Sequence, residues 1–137
     1  MMGATMLTET SLERLAAVPF FSSLARPELE RLAAQVRIVT AEPGEVLLRE
    51  GAVGDRMYVI ESGSVQVYAT AFDGSDVVLA RLEPGHWFGE QALLPGGSEH
   101  RNASVRALDY CRLQAVSRDA LLEALGHHND QIGRAHV

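Results

Sequence analysis

The chain has no lysine. All 12 of its basic residues are arginines, set against 18 acidic ones, and the formal net charge is −6. A broad nucleic-acid surface needs a basic field that displaces phosphate counterions, and a polybasic membrane anchor needs clustered cations; this balance argues against both. Cysteine occurs once, at Cys111, so no internal disulfide forms and a reducing, cytoplasmic compartment is expected. Apolar runs of the roughly 18–20 residues that a membrane helix needs are missing. The opening MMGATMLTETSLERL has no basic n-region and no long apolar h-region, so it does not read as a signal peptide. Repeats of about 20–50 residues and low-complexity tracts are missing too. What is present is 137 residues, 47% hydrophobic, expected to form one domain that buries roughly 68–70% of its unfolded surface. An acidic domain repels a small anion at long range unless one local site overrides the global field.

The pattern divides the chain into helical flanks and a β body. Leu12, Leu15 and Ala16 mark a short amphipathic helix ending at Pro19. Pro27 suits a first helical position, and Leu29, Leu32, Ala33 and Val36 follow on one stripe, so the helical segment spans about 11–36. From 37 to about 116 the period changes. Short strands are expected at 37–40, 45–49, 57–60, 65–69, 77–82, 103–107 and 109–116, with Pro43-Gly44, Gly51, Gly54, Gly63 and Pro84-Gly85 as punctuation. Asp73-Gly74 between alternating apolar segments is a strong hairpin signal. Ser117 caps a helix over 117–126, with Gly126 as its stop. Residues 129–137 read as the start of a further helix. Many short strands at spacings of about 8–12 residues imply a sandwich or barrel.

The chemistry is concentrated in 85–107. A strand ends near Gly85, Phe88-Gly89-Glu90 opens a short apolar turn, and a Gly-rich loop leads to Arg101. Gly89 permits close backbone approach to a ligand. The turn after it offers unpaired N–H groups. Arg101 forks two donors onto phosphate oxygens, and Glu90, the wrong charge for a phosphate, suits a ribose hydroxyl as an acceptor. No Ser or Cys is set with a His base, so nucleophilic catalysis has no support and no enzyme is expected.

These residues resemble the cyclic nucleotide-binding domain of catabolite-activator-type transcription factors, cyclic-nucleotide-dependent kinases and cyclic-nucleotide-gated channels, over about residues 12–125. Phe88-Gly89-Glu90-x-Ala92-Leu93-Leu94 followed by Arg101-x-Ala103-Ser104-Val105-x-Ala107 is similar to the family's phosphate-binding cassette. Gly51-x-x-Gly54-Asp55-x-Met57-Tyr58-Val59-Ile60-x-x-Gly63 resembles its barrel glycines, and Pro19-Phe20-Phe21-x-x-Leu24 its N-terminal bundle. The resemblance implies a mainly β fold: an eight-stranded antiparallel, jelly-roll-like β-roll with an N-terminal helical segment and a C-terminal helix. It assigns Arg101 to the cyclic phosphate and Glu90 to the ribose 2′-hydroxyl. Gly89, Gln91, Ala92 and Ala103 would give backbone contacts, and Leu82 would pack on the purine. The ligand is cyclic GMP or cyclic AMP, with no cofactor. The partners implied are that ligand, an effector domain of the same full-length protein (a GGDEF-type cyclase, a transcription factor or a channel) and a second copy in a homodimer.

Three departures from the family pattern stand out. The Glu90–Arg101 separation is slightly long, with Pro95-Gly96-Gly97 as a bulge, because lengthening a loop costs little. His100 stands where Pro is common. Asn102 stands where Thr, Ser or Ala is usual; its carbonyl mimics the hydroxyl acceptor associated with the guanine amino group, which slightly favours cyclic GMP. Two alternatives compete: a degenerate roll used only for protein association, and a cupin-like metalloenzyme using His86 and Glu90, for which a fuller ligand set is missing. Trp87 reads as a rim or core aromatic, Cys111 as a small core hydrophobe, Arg106 and Arg112 as outward ion-pair partners, and His127, His128 and His136 as exposed tail residues.

Overall fold

A computed structural model describes residues 9–93 and 101–126. Helix α1 (Glu9–Ala16), a 3-10 turn (Pro19–Phe21) and helix α2 (Arg26–Gln35) precede the strands β1 (Arg37–Ala41), β2 (Val46–Leu48), β3 (Arg56–Ser62), β4 (Val65–Thr70), β5 (Asp76–Leu82), β6 (Trp87–Phe88), β7 (Ser104–Ala107) and β8 (Cys111–Ser117). A second 3-10 turn, Glu90–Ala92, follows β6, and a helix over 118–126, here α3, follows β8. The strands form two antiparallel sheets, β1-β8-β3-β6 and β2-β7-β4-β5. The fold is mainly β, with a helical N-terminal part and a C-terminal helix.

Residue period explains the layering. In β3, Met57, Tyr58, Val59 and Ile60 are all buried, although alternate side chains of a strand point to opposite faces. Met57 and Val59 join a core with Leu15, Phe21, Leu32 and the α3 residues Ala120, Leu121 and Ala124. Tyr58 and Ile60 join a second core between the sheets, with Val65, Val105 and Leu113. The sheet carrying β3 and β8 is therefore covered on both faces, by helices on one side and the other sheet on the second. That is why its central strands read as apolar runs. The expected stripe of α2 is seen in Leu29 and Leu32, both buried.

The Asp73-Gly74 turn forms as its chemistry demands: Gly74 has φ +87°, and Asp73 Oδ1 accepts the Ser75 N–H at 2.9 Å. Arg106 and Arg112 take the ion-pair roles expected of them, with Asp76 at 3.0 Å and Glu61 at 2.8 Å. Cys111 is fully buried and its thiol donates to Ser64 O at 3.2 Å; burial pushes its pKa up. Strand β8 starts two residues later than the period predicts. Asp109 instead accepts from Ser64 Oγ at 2.5 Å across the preceding turn. Residues 94–100 and 127–137, with the expected Pro95–Gly97 bulge, His100, the tail histidines and the 129–137 helix start, lie outside the described residues.

One buried polar network ties α1 to the sheet. Gln114, fully buried, donates from Nε2 to Ser11 O at 2.8 Å and to Glu61 Oε2 at 2.9 Å. Both partners are acceptors, so the amide orientation is fixed by chemistry. Burial alone would raise the Glu61 pKa, but hydrogen bonds from Ser11, Arg112 and Gln114 and the Arg112 charge outweigh it and hold the group below its ordinary value. A carboxylate so depressed contributes stability that is present above its unfolded pKa and lost as pH falls through the folded one. Glu61→Gln is expected to cost about 1–3 kcal/mol at neutral pH. Urea unfolding at stepped pH should show wild type and variant converging in acid. A gap that stays constant with pH would refute the linkage.

Candidate functional site

The site is built where β6 ends. Gly89 has φ +83°, a left-handed backbone that L side chains avoid. A Cβ there would also stand 3.1 Å from Arg56 O and 3.2 Å from Arg101 Nη1. This kink turns the chain from β6 into the three-residue turn Glu90–Ala92. Under it, Tyr58 of β3 and Phe88 of β6, directly opposite in register, stack at 5.2 Å between centroids.

Arg101 is fixed through both its backbone and its side chain. Its N–H donates to Ala52 O at 2.8 Å and its carbonyl accepts from Gly51 N–H at 2.6 Å, so the residue is sewn to the β2–β3 loop. Next to it, Ser104 Oγ accepts the Glu50 N–H at 2.9 Å. The guanidinium donates from Nη1 to Gly89 O at 3.0 Å and from Nη2 to Arg56 O at 2.7 Å. It lies directly over the bare Cα of Gly54, where an added Cβ would come within 2.2 Å of Nη2 and 2.4 Å of Cζ. The residue is only 8% exposed. Burial lowers the arginine pKa, the Asp55 charge opposes that, and the Arg56 charge adds to it; arginine nonetheless remains a cation. Among the described residues Arg101 makes no ion pair. Its two bonds to backbone carbonyls occupy two of five N–H donors.

Arg101 forms part of a pocket of about 270 Å³ that is also lined by Gly89, Glu90, Gln91, Asn102 and Ala103. Six of the eight residues expected from sequence thus meet on one cavity. The other two stand off it. Ala92 is 1% exposed and turned into the protein. Leu82 pairs with Val65 and packs against the inter-sheet core. The apolar part of the pocket wall comes from Leu48, Val67, Phe88 and Val105, with Trp87 beside them. The signal for Val67 and Val105 was the strand alternation that turns them inward. Trp87 has both sides of its expected role, since it lines the pocket and packs against the helical core.

A second cavity of about 220 Å³, containing Gly54, Asp55 and Arg56, shares Leu48 and Arg101 with the first. His86, weighed above as a metal ligand, accepts the Glu83 N–H through Nδ1 at 2.9 Å. Among the described residues no group of three or more His, Cys, Asp and Glu is placed to hold a metal, and no helix is long and apolar enough to cross a membrane.

Comparison with known proteins adds three kinds of likeness. The family model described as "cyclic nucleotide-binding domain" matches residues 38–128. The acetyltransferase Pat of Mycolicibacterium smegmatis is 47% identical over 88 residues, which is 64% of this chain and 26% of that protein. The potassium/sodium hyperpolarization-activated cyclic nucleotide-gated channel 4 of Homo sapiens is 34% identical over 111 residues, 81% of this chain and 9% of the channel. Among solved structures, the catabolite activator protein of Thermus thermophilus superposes with a TM-score of 0.68 at 29% identity, over 86% of this chain and 57% of that one. The chain therefore spans about a quarter or less of the curated relatives it matches.

Proposed function

Because the chain belongs to the cyclic nucleotide-binding domain family, we propose that the 270 Å³ pocket takes one cyclic mononucleotide and that the domain acts as a sensor, not an enzyme. The observation that carries this is the buried guanidinium of Arg101 in the pocket wall, without a carboxylate partner among the described residues. A buried cation needs a counter-charge, and a cyclic phosphate supplies one with oxygens that suit the forked donors. Glu90 accepts from the ribose 2′-hydroxyl. Backbone N–H groups of Gly89, Gln91 and Ala103, which line the pocket, add shorter-range contacts to the sugar-phosphate, while the Ala92 N–H is taken by Gly89 O. Leu48, Val67 and Val105 give the apolar surface that a purine needs.

Asn102 is exposed on the pocket rim. Its side chain offers an acceptor to the guanine 2-amino group, so cyclic GMP is slightly favoured over cyclic AMP. The ligand signal passes through α3 to an effector domain in the cytoplasm. A cyclase, a transcription factor, a channel or an acetyltransferase all fit a module that spans a small part of its relatives. Titration calorimetry with each nucleotide decides the reading: at least one should bind below millimolar, and binding by neither would sink it. Asn102→Ala should weaken cyclic GMP several-fold more than cyclic AMP; equal losses would remove the guanine preference.

A second reading, association without a ligand, is favoured by the edge strand β5, where Val77, Val78 and Leu79 are all exposed. An open apolar edge is a template for another chain. On that reading sedimentation should show a persistent oligomer that neither nucleotide changes. A homodimer that responds to nucleotide belongs to the first reading.

A further inference from the structure

Ala92 closes the turn that borders the pocket and is 1% exposed, so its carbonyl needs a partner inside the protein. That partner is Arg118, the first residue of α3. Its Nε donates to Ala92 O at 3.0 Å, and Nη2 donates to the same oxygen. The Arg118 main-chain N–H donates to Asp55 O at 2.7 Å. The next carbonyl along, Arg56 O, accepts from the Arg101 guanidinium. Two adjacent peptide units therefore hold the pocket arginine and the start of α3.

The position is unusual for a cation. The first turn of a helix is its positive end, so an arginine there is unfavourable for α3 considered alone. The same side chain is well placed for the other element, because cations cap carbonyls at the C-terminal end of a turn. Ser117 Oγ already accepts the Ala120 N–H at 3.0 Å and caps α3 without it. At the far end, Arg31 of α2 donates to Ala124 O at 3.4 Å. Leu93 packs with Ala120, Leu121 and Ala124 in one core, which holds the surfaces together without fixing their register.

We propose that Arg118 is a positioning residue: by chelating the Ala92 carbonyl it latches the 90–92 turn to the first turn of α3, so that a displacement of the turn is carried into the helix. This deepens the reading of the pocket as a cyclic nucleotide site and rests on it, but the latch has a test of its own. Without nucleotide, amide hydrogen exchange should report it directly. The Ala92 and Leu93 amides, which donate to Gly89 O and Glu90 O, should exchange about tenfold faster in Arg118→Ala, together with the first turn of α3; that is the conversion of 1.4 kcal/mol, within the usual cost of an unpaired buried acceptor. Acceleration confined to α3, with the turn unchanged, would overturn the latch.

With cyclic AMP or cyclic GMP, calorimetry should show about a tenfold weaker Kd for Arg118→Ala. At saturation the exchange response should persist at 89–93 and fall by at least half over 118–126. A full response over 118–126 would also overturn it. Arg118→Lys keeps the charge but not the fork, and should recover part of both effects; it is read in place of the alanine variant if that variant does not fold. If wild type binds neither nucleotide, the pocket reading fails while the nucleotide-free exchange still decides the latch.

Discussion

Arg101→Ala is expected to reduce cyclic nucleotide affinity by more than about 100-fold. Charge-assisted hydrogen bonds contribute about 1.5–3 kcal/mol each, and two of them lost correspond to two or more decades. The effect has a distinct origin from simple destabilisation, and two measurements separate them. The guanidinium also satisfies Gly89 O and Arg56 O, so the variant should melt at a somewhat lower temperature without ligand. The diagnostic quantity is the shift that nucleotide adds to Tm, which follows the ratio of ligand concentration to Kd. Wild type should gain stability with either nucleotide; Arg101→Ala should gain almost none. Arg101→Lys should fall between, because a point charge replaces a planar fork. Equal binding by the alanine variant would show that the phosphate is held elsewhere.

This expectation also resolves how an acidic, lysine-free chain holds an anion. The net charge of −6 is spread over the whole chain, and at about 0.15 M salt the Debye length is about 8 Å, so distant carboxylates are largely screened. Arg101 acts at contact distance from inside the protein wall, where screening is weakest.

What the sequence made legible follows from which features are local. The α2 stripe, the Asp73-Gly74 hairpin and the cap at Ser117 are each written in a few adjacent residues, and each forms. The pairing of Glu90 with Arg101 on one pocket was legible only through a family resemblance, because ten intervening positions carry no period that would bring them together. Strand β6 escaped because two residues, Trp87 and Phe88, cannot display an alternation. The position of Leu82 depends on register: paired with Val65, it packs against the inter-sheet core beside the pocket wall and not in the lining itself. Nothing local in the sequence marks Gln114 or Glu61, and only the packing of α1 above them makes them an internal network. Arg118 looked like a helix-starting residue, since nothing nearby in sequence announces the Ala92 carbonyl, 26 positions earlier.

Gly54→Ala is the second large effect, expected to cost about 10–100-fold in affinity while leaving the fold intact. Gly54 is not in the left-handed region, so an alanine there adds no backbone strain. It lines the second cavity, not the ligand pocket, so it touches no nucleotide. What the new methyl meets is the Arg101 guanidinium, at 2.2–2.4 Å, against an ordinary carbon contact of about 3.5–4.0 Å. The arginine must withdraw by about 1 Å or more, because the opposing atom is the end of a side chain and the glycine backbone is held in the loop. Hydrogen bonds weaken steeply over such a shift in distance and angle. The weakened bonds to Gly89 O and Arg56 O cost some stability and less unfolded-state freedom restores some, so the nucleotide-free Tm should stay close to that of wild type. Gly89→Ala gives the contrast: its φ of +83° makes alanine strained by about 1–2 kcal/mol, so it should lose Tm and affinity together. A Gly54→Ala protein that melts like wild type and binds nucleotide tens of times more weakly would locate the loss in the placement of one guanidinium. If it binds as wild type does, then the orientation over Gly54 is not the one that meets the phosphate.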